Sequence, residues 1–174
     1  MDEVKVTGHI RPIAICVFRN GNRILVGDGY DPTKQQVFYR PPGGAIHFGE
    51  TSESALRREM REELGVEIHH PRLIGVLESL FTFDGEQGHQ IVFVFDGKLG
   101  DASLYELAQF PARESNGEHF NAIWLDLDAI GPGTPPVYPD GLVELLRRAD
   151  DGARVENPHT NRGRQTKDPM AFGW

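Results

Sequence analysis

Residues 44–66, GAIHFGETSESALRREMREELGV, narrow the fold of this 174-residue chain more than any other stretch. Thr51 or Ser52 is the residue type that caps a helix start, and Gly65 is the type that ends one, so the spacing predicts a helix to about Leu64. A helix turns through about 100° per residue, so Glu59, Glu62 and Glu63, at i, i+3 and i+4, project from one side of it. Leu56, Met60 and Leu64 repeat at i, i+4 and i+8 and form a packing stripe on another side. The element therefore packs with one side and offers oxygen ligands with the other. Carboxylates held that close repel one another unless a cation lies among them. A plain alternative is a solvated acidic helix whose glutamates pair with Arg58 and Arg61.

The wider spacing weighs against that alternative. Gly44 is followed after five residues by Glu50, after seven more by Arg58-Glu59, and then by Met60, Glu62-Glu63 and Gly65-Val66, with Pro42-Gly43 just ahead. This resembles the Nudix box, G-x5-E-x7-R-E-U-x-E-E-x-G-U with U aliphatic, at every defining position. The resemblance implies an α/β fold, a Nudix-type α/β/α sandwich with a mixed β-sheet. It spans roughly residues 8–148, which sets residues 1–149 as the Nudix hydrolase domain and 150–174 as a polar tail.

The resemblance also implies roles. A backbone carbonyl of the glycine turn, from Gly44 or Gly43, would join a metal site with Glu59 and Glu63 as principal ligands and Glu62 completing the shell. All-oxygen ligation suits a hard ion, Mg2+ first and Mn2+ second, and no Cys/His set has zinc spacing. Arg58 and Glu50 would be structural braces, with Arg58 orienting a glutamate. The reaction is water attacking phosphorus in a diphosphate linkage. Its proton would go to a box glutamate, Glu59 or Glu62, or to a glutamate before the last strand, where Glu118 is favoured over Glu114. Arg11 and Arg40 are candidates for holding a substrate phosphate or base. His47 stands where the family commonly has glutamate. Tyr30, Phe38, Tyr39 and Phe81 are candidate stacking residues that also suit a core, and His89 is expected in a turn.

Elsewhere the pattern supports a compact mixed domain. Ile10–Phe18 and Arg23–Val26 flank Asn20-Gly21, a hairpin signature. Residues 27–36 read as a polar loop and 37–40 as a short strand. Long β segments are expected at 72–83 and 90–99, with a turn at 84–88 and an ambiguous stretch at 102–110. A last strand is expected at 120–125, a helical turn at 126–130, and a closing helix capped by Asp140 and running through Arg148. The polar tail ends in Phe172 and Trp174, and an undocked tail is expected. Docking on the domain or on a homodimer partner is the alternative.

No apolar run approaches ~18 residues, so no membrane span is expected. The acidic start lacks the apolar core of a signal peptide, and the single cysteine, Cys16, sits in an apolar run, so a cytoplasmic location is expected. A net charge of −8 argues against a general grip on nucleic acid through its phosphates. The expected partner is a small nucleotide.

Substrate is read by subtraction. The downstream proline of ADP-ribose hydrolases, the tyrosine of dinucleoside-polyphosphate hydrolases, the S-Q-P-W-P-F motif of the NADH type and the coenzyme A motif are all missing. A nucleoside triphosphate or a sugar nucleotide remains. The alternatives are a non-catalytic nucleotide sensor, an ADP-ribose hydrolase, or an RNA 5′-end pyrophosphohydrolase, for which only the tail is basic.

Overall fold

The computed structural model describes residues 8–113 and 117–155. The strands are β1 (Arg11–Asn20), β2 (Arg23–Asp31), β3 (Gln36–Arg40), β4 (Gly43–Ala45), β5 (Ile68–Phe83), β6 (Glu86–Leu99), β7 (Gln109–Arg113) and β8 (His119–Asp126). Two helices accompany them, α1 (Ser52–Glu63) and α2 (Leu142–Val155). The sheet runs β5-β6-β1-β2-β8-β7, with β3 on β2 and β4 on β1. The β1–β6 pair is parallel and the other pairs are antiparallel, which makes the sheet mixed as expected.

β1 explains the layering. Its run from Ile13 to Phe18 is buried throughout because the strand is covered on both faces. Ala14, Cys16 and Phe18 point into one cluster with Leu56 and Met60 of α1. Ile13, Ile15 and Val17 point the other way, into a cluster with Leu142, Val143 and Leu146 of α2. Period-two alternation thus assigns each helix its own side of the sheet. Burial also pushes the Cys16 thiol well above its usual range, as suits a core residue.

The β1–β2 hairpin pairs only at Arg19 with Ile24 and Asn20 with Arg23. Beyond that, β1 is flanked by β4 and β6, whereas β2 is flanked by β3 and β8. The two halves diverge from the hairpin, and the gap between them becomes the cleft that holds the candidate site.

Several expected boundaries move. The polar stretch at 27–36 is not all loop: β2 continues to Asp31 because its residues 27–31 pair with β3. β5 starts at Ile68 and β6 at Glu86, so His89 lies in a strand rather than a turn. Residues 102–110 divide into a 3₁₀ turn, Ala102–Tyr105, and the start of β7, which pairs with β8. α2 runs past Arg148 to Val155. Its first i→i−4 bond is Leu145 N–H to Gly141 O at 3.0 Å, so Gly141 rather than Asp140 occupies the cap. The chain beyond Val155, and with it the aromatic end of the expected tail, lies outside the described residues. Among the described residues no helix is long and apolar enough to cross a membrane.

Candidate active site

α1 begins at a capping box. Thr51 accepts from the Ser54 backbone N–H at 3.1 Å, and Ser54 Oγ accepts from the Thr51 N–H at 2.9 Å. Leu56 and Met60 anchor the helix in the core, and this rotation turns Glu59 and Glu63 toward β4. Both carboxylates are buried, at 3% and 6% exposure. Glu63 Oε2 accepts the Gly43 N–H at 3.0 Å.

The glycine turn is required here for two separate reasons. Gly43 has φ +142°, and a Cβ there would lie 2.1 Å from the Ala14 carbonyl oxygen. Gly44 has ordinary backbone, yet a Cβ on it would lie 2.5–2.6 Å from three atoms of the Glu59 carboxyl group. The absent side chain at position 44 is the space that Glu59 occupies.

Arg58 ties the acidic groups together. Its Nε and Nη2 donate to the two oxygens of Glu50 at 2.8 and 2.9 Å. Nη1 donates to Glu59 Oε1 at 2.7 Å and to Glu62 Oε2 at 3.2 Å, and Nη2 also reaches the Ala45 carbonyl at 2.9 Å. This bidentate fork with two further carboxylates is a charge-assisted network that a lysine could not reproduce. The Arg58 side-chain bonds, then the His47 backbone N–H at 3.0 Å, hold the Glu50 carboxyl at about 2, well below the usual range. Glu50 foremost, and then Glu59, raise the Arg58 guanidinium above its ordinary value. Glu50 N–H bonds back to the His47 carbonyl at 3.0 Å, so the loop before the helix is pinned at both ends. The His47 side chain is 63% exposed, with Nδ1 3.9 Å from Glu50 Oε2.

One cleft of about 620 Å³ collects these groups. Arg11, Arg40 and Glu118 line it along with Gly44, Glu59, Glu62 and Glu63. Tyr30, Phe38 and Phe81 line it too, whereas Tyr39 packs against the α2 side of the core. His89 is outside the lining and bonds Glu78 at 2.8 Å. Glu114 lies outside the described residues. Sequence reasoning missed Lys34, Phe83 and Tyr138, which also line the cleft. Lys34 pairs with Asp31 at 3.3 Å and donates to the Thr82 carbonyl, bridging two hairpin tips. Phe38 meets Phe83 edge-on at 6.0 Å and Tyr138 at 5.7 Å. The alternation Ser79, Phe81, Phe83 was the available signal for a β5 face turned toward the cleft.

The donor set suits a hard cation: its side-chain ligands are carboxylates, two of them buried beside a close-packed glycine backbone. Among the described residues no three acidic, imidazole or thiol groups are drawn around a single point. The Arg58 guanidinium lies among the box carboxylates and compensates their charge in this arrangement.

Comparison with known proteins decides the family, for the model of the NUDIX domain matches residues 8–155. The chain belongs to the Nudix family. It is 29% identical over 130 residues to the NAD-capped RNA hydrolase NudC of Haemophilus influenzae (strain PittGG), a match covering 73% of this chain and 43% of that protein. The chain thus spans less than half the length of that curated relative. Among solved structures, a Nudix hydrolase from Nitrosomonas europaea superposes with TM-score 0.60 at 18% identity, covering 83% of this chain and 90% of that one. A MutT Nudix hydrolase from Burkholderia pseudomallei does so with TM-score 0.58 at 21% identity, covering 80% and 98%. These two likenesses establish the α/β/α Nudix fold. Membership places residues 8–155 within a NUDIX domain, the fold that carries the glutamate-rich box.

Proposed function

We propose that this Nudix enzyme is a Mg2+-dependent hydrolase of the diphosphate linkage in a nucleoside diphosphate joined to another moiety, foremost a nucleoside triphosphate or a sugar nucleotide. The observation that carries the reading is the meeting of Glu59, Glu62, Glu63 and Gly44 with Arg11, Arg40 and Glu118 in one cleft. Glu59, Glu62, Glu63 and the Gly44 carbonyl would hold the ion, with Mn2+ as a substitute. A divalent cation there supplies charge neutralisation at the phosphate oxygens and activation of water. Arg11 and Arg40 bind the phosphates and fix the linkage against the glutamates. Glu118, on the opposite half of the cleft, accepts the proton of the attacking water. Glu59 or Glu62 takes that role if Glu118 does not. Arg58 and Glu50 hold Glu59 in register, and neither touches substrate.

The likeness to the NAD-capped RNA hydrolase supports a second reading, in which the same chemistry is applied to a dinucleotide or to a capped RNA end. One experiment separates the two. Nucleoside triphosphates, sugar nucleotides, ADP-ribose, NADH and NAD-capped RNA are offered with Mg2+ or Mn2+, and the products are identified. Turnover of triphosphates or sugar nucleotides supports the first reading, and turnover of NADH or capped RNA alone supports the second. An inert panel refutes both and leaves a nucleotide-sensing module.

A further inference from the structure

The cleft floor carries a polar row of which the phosphate chemistry uses only Arg11. β1, β6 and β5 are in register there, Arg11 beside Gln90 and Gln90 beside Ser79, so the three side chains stand abreast on one face. All three line the cleft, and the next positions along the same face, Ile13 and Val92, are apolar. Ser79 is only 4% exposed, and neither its hydroxyl nor the Gln90 amide bonds another described residue. No polar side-chain atom among the described residues is sealed without a partner, so the Ser79 hydroxyl opens onto the cleft. A hydroxyl and an amide with no partner among the described residues, side by side and open to the cleft in an otherwise apolar stretch of floor, are available to hydrogen-bond a ligand there. Beside them the Phe81 ring lies across Gly88, where a Cβ would come within 2.3–2.7 Å of three ring carbons. The missing side chain at position 88 lets that ring lie flat on the sheet and offer its face.

We propose that Gln90 and Ser79 read the edge of the substrate's nucleobase, which stacks on Phe81. The amide supplies a donor and an acceptor in one plane, and the hydroxyl supplies either, which is the chemistry of base-edge recognition. Position agrees. Gly44 pairs with Ala14, and Gln90 lies ~10 Å along the strands and two strand spacings, ~10 Å, across from it. That offset accommodates a ribose and a phosphate between the base and the glutamates, with Arg11 on the intervening strand. The inference rests on the nucleotide-hydrolase reading and adds the residues that select the base.

The test is binding, because nucleoside monophosphates carry base, sugar and phosphate but no diphosphate to cleave. Dissociation constants are measured by calorimetry in Mg2+ for AMP, GMP, CMP, UMP and, as the base-free control, ribose 5-phosphate. The wild type is expected to bind at least one nucleotide more than tenfold tighter than ribose 5-phosphate. Q90A is expected to weaken that nucleotide about tenfold or more, while ribose 5-phosphate changes less than about twofold, and S79A follows the same pattern more weakly. The isosteric Q90E, which keeps the volume and removes the donor, shifts the order of preference among the bases. Equal binding of nucleotides and ribose 5-phosphate by the wild type overturns the inference, as does a Q90A effect that is nil or the same on all five probes. The two readings fail separately. Hydrolysis by the wild type with unaltered base binding in Q90A sinks only the base-reading row, and an inert enzyme with Gln90-dependent base binding sinks only the hydrolase.

Discussion

Replacing Gly44 with alanine tests the geometry of the site with one methyl group. The backbone at Gly44 lies outside the left-handed region, so alanine meets no conformational strain. Its Cβ would instead sit 2.5 Å from Glu59 Cδ, 2.5 Å from Oε1 and 2.6 Å from Oε2. Ordinary contact begins nearly 1 Å further out, and Glu59 is 3% exposed and tied to Arg58 at 2.7 Å, so the carboxylate must move by about that distance. Overpacking of this kind costs about 1–3 kcal/mol. For a domain of this size that lowers Tm by about 2–12 °C. A misplacement of ~1 Å at a reacting centre costs roughly a hundredfold in turnover. Calorimetric melting and steady-state kinetics read the two effects, with G131A as a control because nothing lies within 4 Å of a Cβ there. The discriminating variant is the double mutant. In an E59A background the colliding carboxylate is gone, so adding G44A should cost under about 0.5 kcal/mol. Equal destabilisation by G44A in both backgrounds, or full turnover in the single mutant, would refute the assignment of that glycine to Glu59.

Three other outcomes follow from the same contacts. R58A removes the donor shared by Glu50, Glu59 and Glu62 and leaves Glu59 buried without its cation, so it should lose about 3 kcal/mol. Added Mg2+ should restore part of the lost Tm, and R58K should fall between the two. E62Q and E63Q should each reduce turnover by orders of magnitude with the fold intact. Glu62 is 46% exposed, so the apo melting temperature of E62Q should stay within about 2 °C of wild type; near-normal turnover in both variants would remove the box from the chemistry. Glu50 supplies the pH dependence: its folded value of about 2 lies below the ordinary 4.5, so its stabilisation is full above about 4.5 and is lost as pH falls through about 2. The stability advantage of wild type over E50Q should therefore shrink between pH 5 and 2, and a gap that is constant or widens on acidification would contradict the Arg58 bridge.

The sequence by itself determined whatever depends on neighbours three or four residues apart. Helical periodicity placed Glu59, Glu62 and Glu63 on one side and Leu56 and Met60 on another, and Thr51 or Ser52 marked the start, because capping and amphipathicity are local. The apolar run ending at Phe18 likewise marked a strand, though its burial on both faces emerged only with the two helices packed against it. Only the tertiary structure decided what depends on strand register. Residues 27–31 are polar in sequence, yet they form strand because β3 pairs with them. β7, interrupted by Pro111, exists because β8 lies beside it. Gly44 looks like any turn glycine until α1 brings the Glu59 carboxyl to its Cα. Arg11, Gln90 and Ser79 are far apart along the chain, and each alone reads as an ordinary strand residue. They become one row because hydrogen bonding between parallel and antiparallel partners sets three strands level, and that alignment is written in no segment taken alone.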